Sequence, residues 1–206
     1  DTGAEYVIIK NTGGLSENLY GWQLYPYSDS VQGYYFFGNI SISNKSTLTI
    51  RLRTSGTDTN SDVFHSSAPG NMGNTSGSVA LFNATDRSAS TIIDFVEWGK
   101  AGETWESAAG TAGLWTKGSF IDISSATEGQ ALLRNGTESG PSAWSIGNAT
   151  SAVTPPAGTD GTSGDTNTTT SNESSTTAAS EASATSGSSG TNVASDTTSY
   201  RAKISA

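Results

Sequence analysis

The sequence predicts an all-β sandwich, and three observations lead there. Short apolar stretches recur at intervals of about 8–12 residues, separated by Gly, Asn, Ser and Thr clusters. Several of them alternate apolar and polar residues with the period of a strand. Helical spacing persists nowhere for as long as about ten residues, although 100–113 has room for a helical turn.

"EYVIIK" (5–10), stopped by "NTGG", is the first strand expected. "GWQLYPY" (21–27) and "GYYFFGNISIS" (33–43) come next, and Pro26 suits an edge or a bend because it has no N–H to donate to a ladder. "STLTIRLRT" (46–54) alternates cleanly and sets Leu48, Ile50 and Leu52 on one face. Residues 56–77 read as polar loop. "SVALFNA" (78–84), "TIIDFVEWG" (91–99), "GSFIDIS" (118–124) and "QALLRN" (130–135) complete the set. In the second of these, Glu97 alternates with Val96 and Trp98 as an outward position.

Composition divides the chain. All five Trp, and every Phe and Met, lie before residue 145, so only residues 1–157 have the means to bury a core. Residues 158–198 are a Ser/Thr/Gly-rich low-complexity linker with Val193 as their one large aliphatic. They cannot bury enough apolar surface to offset their ordering entropy. Residues 199–206, "SYRAKISA", regain alternation. Tyr200, Ala202, Ile204 and Ala206 interleave with Arg201, Lys203 and Ser205, the pattern of a half-buried strand.

The net charge is −9, without a basic cluster, which argues against a nucleic-acid partner. No apolar run is long enough to span a bilayer. With no Cys, disulfides, thiolate metal sites and thiol catalysis are excluded. The opening at Asp1, without an initiator Met, reads as a mature, processed or excised product.

Asn39, Asn44, Asn74, Asn83, Asn135, Asn148, Asn167 and Asn172 each begin an N-x-S/T sequon, eight of the thirteen Asn in the chain. They are candidate N-glycosylation sites, and covalent glycans imply an extracellular or cell-surface protein of an archaeon or a eukaryote. The bacterial alternative is an unglycosylated surface protein rich in Ser and Thr.

Catalytic chemistry finds little footing. His65, the single histidine, falls in the polar loop with no G-x-S-x-G elbow beside it. Asp58, Asn60 and Asp62 open like a calcium loop, but Val63 and Pro69 occupy the positions where an EF-hand needs Gly and Glu. A looser oxygen-ligand Ca²⁺ site is what remains of that reading. Asp94, Glu97, Glu103 and Glu106 are the acids available for acid–base work, and solvated edge positions are the expectation for them. Trp22, Tyr25, Tyr27, Tyr34 and Tyr35 offer a carbohydrate platform or, more simply, sheet packing. The expectation is therefore a non-enzyme with no catalytic residue, no metal site and no cofactor apart from glycans.

Residues 1–158 resemble the lamin-tail domain, an immunoglobulin-like β-sandwich. "DTGAEYVIIKNTG" is similar to the family's acidic-Gly turn and the strand after it, and "LYGWQL" (19–24) to its L-x-G-W-x-L signature. "SGSVALFNATDRSASTIIDFVEWG" (76–99) resembles its strand pair, and "GQALLRNGTESGPSAWSIGNATSAVTPPAG" (129–158) its closing segment. Ile8 and Lys10 depart from the family pattern, as does "SNKST" (43–47).

The resemblance also implies an apolar strand ahead of the Asp-Thr-Gly turn, where this sequence begins at Asp1. The open edge would be Tyr6, Val7, Ile8 and Ile9, and the candidate donor strand is Tyr200, Ala202, Ile204 and Ala206. Residues 158–198 reach roughly 140 Å fully extended and span about 35 Å as a flexible coil. The strand can return to its own domain or enter a neighbour, and a head-to-tail contact of the second kind grows a polymer. The function expected is a structural subunit of an extracellular filament or surface coat, with copies of itself as partners. The alternatives are a monomeric adhesion module on a mucin-like stalk, with cell-surface or carbohydrate contacts, and an accessory domain of a secreted protein.

Overall fold

The computed structural model describes residues 5–28, 31–32, 35–67, 72–135, 138–148 and 201–203. The linker 158–198, Tyr34 and most of the terminal peptide lie outside them. Thirteen strands, one short α-helix and a 3-10 turn (Pro141–Ala143) are assigned among the described residues: β1 (Tyr6–Lys10), β2 (Glu17–Asn18), β3 (Gln23–Ser28), β4 (Val31–Gln32), β5 (Tyr35–Phe36), β6 (Ser41–Ile42), β7 (Thr47–Leu52), β8 (Asp62–His65), β9 (Gly77–Phe82), β10 (Ile92–Trp98), α1 (Glu106–Thr111), β11 (Gln130–Arg134), β12 (Trp144–Asn148) and β13 (Arg201–Lys203). The protein is all-β.

Six strands form one sheet in the order β12-β11-β13-β1-β7-β8. A second sheet runs β10-β9-β3-β4 with β5 also paired to β3, and β2 pairs β6 as a separate ribbon. The alternation of "TLTIRL" does what its pattern demands: Leu48, Ile50 and Leu52 are completely buried. β9 carries only one small polar residue in "GSVALF", and every position of it is buried, as suits a strand covered on both faces. Residues of both main sheets, including Val7, Ile50, Leu81, Val96 and Leu132, belong to one buried apolar cluster.

Three expectations need correction. The strand expected over 33–43 is broken into β5 and β6 by a bend at Asn39, after the Phe37 N–H to the Trp22 carbonyl (3.0 Å) has extended the β5–β3 pairing by one residue. The loop expected over 56–77 contains β8, a parallel neighbour of β7, so His65 stands in a strand rather than in a loop. Residues 118–124 make only an isolated bridge, Ile121 to Trp98. The patterns there are too short for periodicity to separate strand from buried coil. The helical turn allowed within 100–113 is α1, and β12 lies in the closing segment.

"LYGWQL" forms a tight turn into β3. Leu19 and Leu24 are fully buried, the Trp22 N–H donates to the Leu19 carbonyl, and Gly21 takes φ +81°, a conformation that side chains disfavour. At the far end of β10, Gly99 has φ +76°, and a Cβ there would lie 1.8 Å from the Thr75 carbonyl oxygen. Only glycine lets the chain leave β10 at that point. From there, residues 99–121 form a flap carrying α1. Its return is pinned beside β10 by Gly99 N–H to the Ile121 carbonyl (2.9 Å) and Ile121 N–H to the Glu97 carbonyl (3.0 Å).

Candidate functional site

Two places in the fold hold chemistry: the ladder around β13, and the polar layers on either side of β10. The first is built entirely from backbone. β13 runs antiparallel to both of its neighbours, with Ala202 opposite Val7 on β1 and opposite Leu132 on β11. Lys203 pairs with Ala131, and Arg201 with Leu133. On its other side β1 is fully engaged, pairing with β7 from Tyr6↔Arg51 to Lys10↔Thr47. Val7 and Leu132 are completely buried, and Ile8 and Ile9 are buried too, while Tyr6 is half-buried. Removing β13 would divide the six-stranded sheet into a β11–β12 pair and a β1–β7–β8 group. The N–H and C=O groups along the facing edges would then lack partners. Of the expected donor residues, Tyr200, Ile204 and Ala206 lie outside the described residues.

The second place rests on a bulge. The β10–β9 register shifts between Ile92 and Asp94, leaving Ile93 as the extra residue. Beyond the bulge, Asp94, Val96 and Trp98 face the other main sheet, and Phe95 and Glu97 face the flap. Asp94 is met from the opposite sheet by Arg134 of β11, whose Nη1 lies 2.6 Å from each carboxylate oxygen. The Phe95 N–H donates to the same carboxylate at 2.8 Å. Arg134 also donates to the Glu138 carbonyl and stands 5.7 Å from the centre of the Trp144 ring. Burial pushes the Asp94 carboxyl up to about 7, against the opposing pull of Arg134 and the Phe95 N–H.

Glu97 is completely buried under the flap. Its Oε1 accepts from the Trp115 indole N–H at 2.8 Å and its Oε2 from the Glu103 N–H at 3.0 Å. Glu106, also buried, accepts the Gly118 N–H at 2.5 Å. Burial comes first among the causes that push the Glu97 carboxyl up to about 8, and the neighbouring Glu106 adds to it. Trp105 completes the layer, edge-on to Tyr25 at 5.4 Å and to Phe82 at 5.2 Å.

This overturns the expectation that Asp94, Glu97, Glu103 and Glu106 are solvated edge residues: all four are buried. Alternation counted from Val96 and Trp98 correctly puts Glu97 on the face away from the core between the sheets. It gives no sign that the flap covers that face. Gly99 and the Trp-bearing "GETWESAAGTAGLW" (102–115) are the signal available.

Other candidates are dispersed. Tyr25 lies under Trp105, whereas Tyr35 packs edge-on to Phe37 and His65 beside the opposite sheet, so these two do not share a platform. Trp22 packs partly buried against the core, and Tyr27 lies in β3. In the 58–62 loop, Asp58 accepts the Phe64 N–H at 2.8 Å, and Asp62 is paired with Arg51 at 2.7 Å. Among the described residues, no group of three His, Asp or Glu side chains is placed to hold a metal ion. No helix among them is long and apolar enough to cross a membrane.

Asn39, Asn44, Asn74, Asn83, Asn135 and Asn148 are all exposed. Each stands in a turn or at a strand end, away from mid-strand positions. Asn167 and Asn172 lie outside the described residues. The chain matches none of the protein-family models and none of the curated proteins with which it was compared.

Proposed function

We propose that this chain is a non-enzymatic structural subunit of an extracellular, glycosylated filament or surface coat. Its bead is an immunoglobulin-like sandwich resembling the lamin-tail domain. Its joint is the terminal strand of one copy entering the β1–β11 slot of the next. The observation that carries the reading is the place of β13. A peptide beyond residue 200 occupies an interior position of the sheet, paired on both sides. Interior strands are normally secured by short connections, whereas 149–200 separate this one from β12. A strand on so long a tether is equally able to serve a neighbouring bead. Exposed sequons at the strand ends support glycans that leave the ladder edges free.

A second reading rests on the same pairing made within one chain. There the strand closes its own bead, and the protein is a monomeric adhesion module. Sizing and negative-stain microscopy separate the two. The full chain is expected to form threads and the chain lacking 199–206 to be monomeric. Ala202→Asp, which sets a carboxylate in register between Val7 and Leu132, is expected to act like the truncation. Monomers from the full chain at every concentration would sink the filament. Intact mass of the native protein reports glycan occupancy.

A further inference from the structure

We propose that Asn39 carries a sugar held in position through Asn18 and laid on the exposed ring of Tyr20, so that protein and glycan form one ordered surface at the bend between β5 and β6. This rests on the reading of the chain as a glycoprotein and identifies the sequon that has a site built around it.

A relay of hydrogen bonds fixes the orientation of the Asn39 amide. The backbone N–H of Tyr20 only donates, so the Asn18 side-chain atom 2.8 Å from it is the carbonyl oxygen. The other end of Asn18 is then its NH2, a donor, and the Asn39 atom it meets at 2.9 Å is Oδ1. Asn39 therefore turns its Nδ2, the atom that an N-linked sugar occupies, away from Asn18. Among the described residues no hydrogen bond uses that nitrogen. The sequon at Asn135 differs, because there Nδ2 donates to the Ser145 hydroxyl at 2.9 Å.

Attachment leaves the relay intact. Nδ2 attacks the anomeric carbon of a sugar activated as a lipid-linked phosphate ester. The bond from that carbon to the phosphate oxygen breaks, the phosphate leaves with the electron pair, and Nδ2 gives up one of its two hydrogens as a proton. Oδ1 takes no part, so it goes on accepting from Asn18, which fixes the direction in which the sugar leaves the protein.

Tyr20 lies next to that exit. The Leu19 N–H donates to the Ile40 carbonyl at 2.8 Å and the Gly21 N–H to the Phe37 carbonyl at 3.2 Å, which sets Tyr20 across from Gly38 and Asn39. Leu19 and Phe37 are buried in the core, so both sides of the pair are anchored. Tyr20 itself is 75% exposed, and a Cβ at Gly21 or Gly38 would meet nothing within 4 Å, so the ground around the pair is open. A large ring left in water beside a covalent attachment point suits the C–H face of a pyranose, which covers an aromatic face while its hydroxyls stay in water. The tether keeps that sugar at high effective concentration over the ring.

Glycopeptide mass spectrometry and hydroxyl-radical footprinting of the native full chain are the test. Asn39 is expected to be occupied, and removing its sugar by Ser41→Ala or Asn39→Gln is expected to make Tyr20 label several-fold faster. Phe120, the other exposed aromatic residue among those described, is expected to label alike in all forms. Asn18→Asp keeps the acceptor for the Tyr20 N–H but loses the donor to Asn39. It is expected to raise Tyr20 labelling while Asn39 stays occupied. Tyr20→Ala is expected to lower the thermal midpoint of the glycosylated chain and to leave that of the Ser41→Ala chain unchanged. Sugar on other sequons with Asn39 bare would overturn the inference and leave the glycoprotein reading standing, whereas a chain without any sugar would overturn both. Tyr20 labelling that does not respond to the sugar would assign the ring to solvent or to another copy of the chain, and would equally overturn it.

Discussion

On β10, Asp94 faces the core between the main sheets and Glu97 faces the flap. Both are acids with almost no exposed surface, and they belong to one short strand. Asp94 is matched by a guanidinium reaching across from β11, so its neutralising charge comes from the opposite sheet. Glu97 has indole and amide N–H donors supplied by the flap, and burial with Glu106 nearby raises its carboxyl where no guanidinium meets it. The difference shows that equal burial need not mean equal chemistry. One layer is joined by an ion pair and the other by N–H donors of the flap closing on a carboxyl group.

Arg134→Met strikes the ion-paired layer hardest. It leaves Asp94 buried without its cation, and loss of one partner of such a pair typically costs about 3–5 kcal/mol. Asp94 can escape by taking a proton, so the loss is expected to be larger at pH 8 than at pH 5. Denaturant melts at the two pH values check this. Asp94→Asn combined with Arg134→Met is expected to recover part of the loss, because no buried charge is then left unpaired. Equal losses at both pH values would mean that the ion pair contributes packing and little else.

Glu97→Gln makes a smaller change and probes the flap layer in turn. Glu97, Asp94 and Glu5 all have carboxyl groups pushed above their ordinary range, with burial the leading cause. A raised folded pKa means the native state holds more protons than the unfolded chain. Stability is then greatest in mild acid and falls as pH rises through the folded values. The wild type is expected to lose stability from pH 5 to 8, with each such group contributing at most about 1.4 kcal/mol per pH unit. Glu97→Gln is expected to remove its share of the slope, while its NH2 can accept neither the Trp115 nor the Glu103 N–H that a carboxyl oxygen accepts, so its stability deficit is expected to be largest at pH 5 and to narrow toward pH 8. A wild-type midpoint that rises over that range would contradict the upward shift that burial gives these carboxyls.

One face is easier to read than the other because of what a strand pattern encodes. "TLTIRL", "GSVALF" and "IIDFVEW" carry apolar residues at strand spacing, so the β class and most of the central strands are legible. β2, β6 and β8 are too short or too polar to stand out, and 118–124 looks like a strand although it is mostly coil packed on β10. The acids are misread because burial is a tertiary property. Alternation assigns Glu97 to a face, but only the flap decides whether that face meets water. The bulge at Ile93 leaves no mark in composition either, yet it reverses the faces of the residues on its two sides.

The mildest perturbation concerns the flap layer alone. Trp105 buries its ring edge against Tyr25 and Phe82, while its indole N–H is buried with no hydrogen-bond partner. Trp105→Phe gives up contact area but also relieves a desolvated donor, and an unmade buried hydrogen bond costs about 1–3 kcal/mol by itself. The two effects oppose each other, so the net change in stability is expected to stay within about 1 kcal/mol, far below that of Arg134→Met. Thermal melts of the two variants side by side check the ranking. A loss at Trp105 matching that at Arg134 would mean that the indole N–H holds a partner, such as a buried water, and that the flap layer is as tightly specified as the ion-paired one.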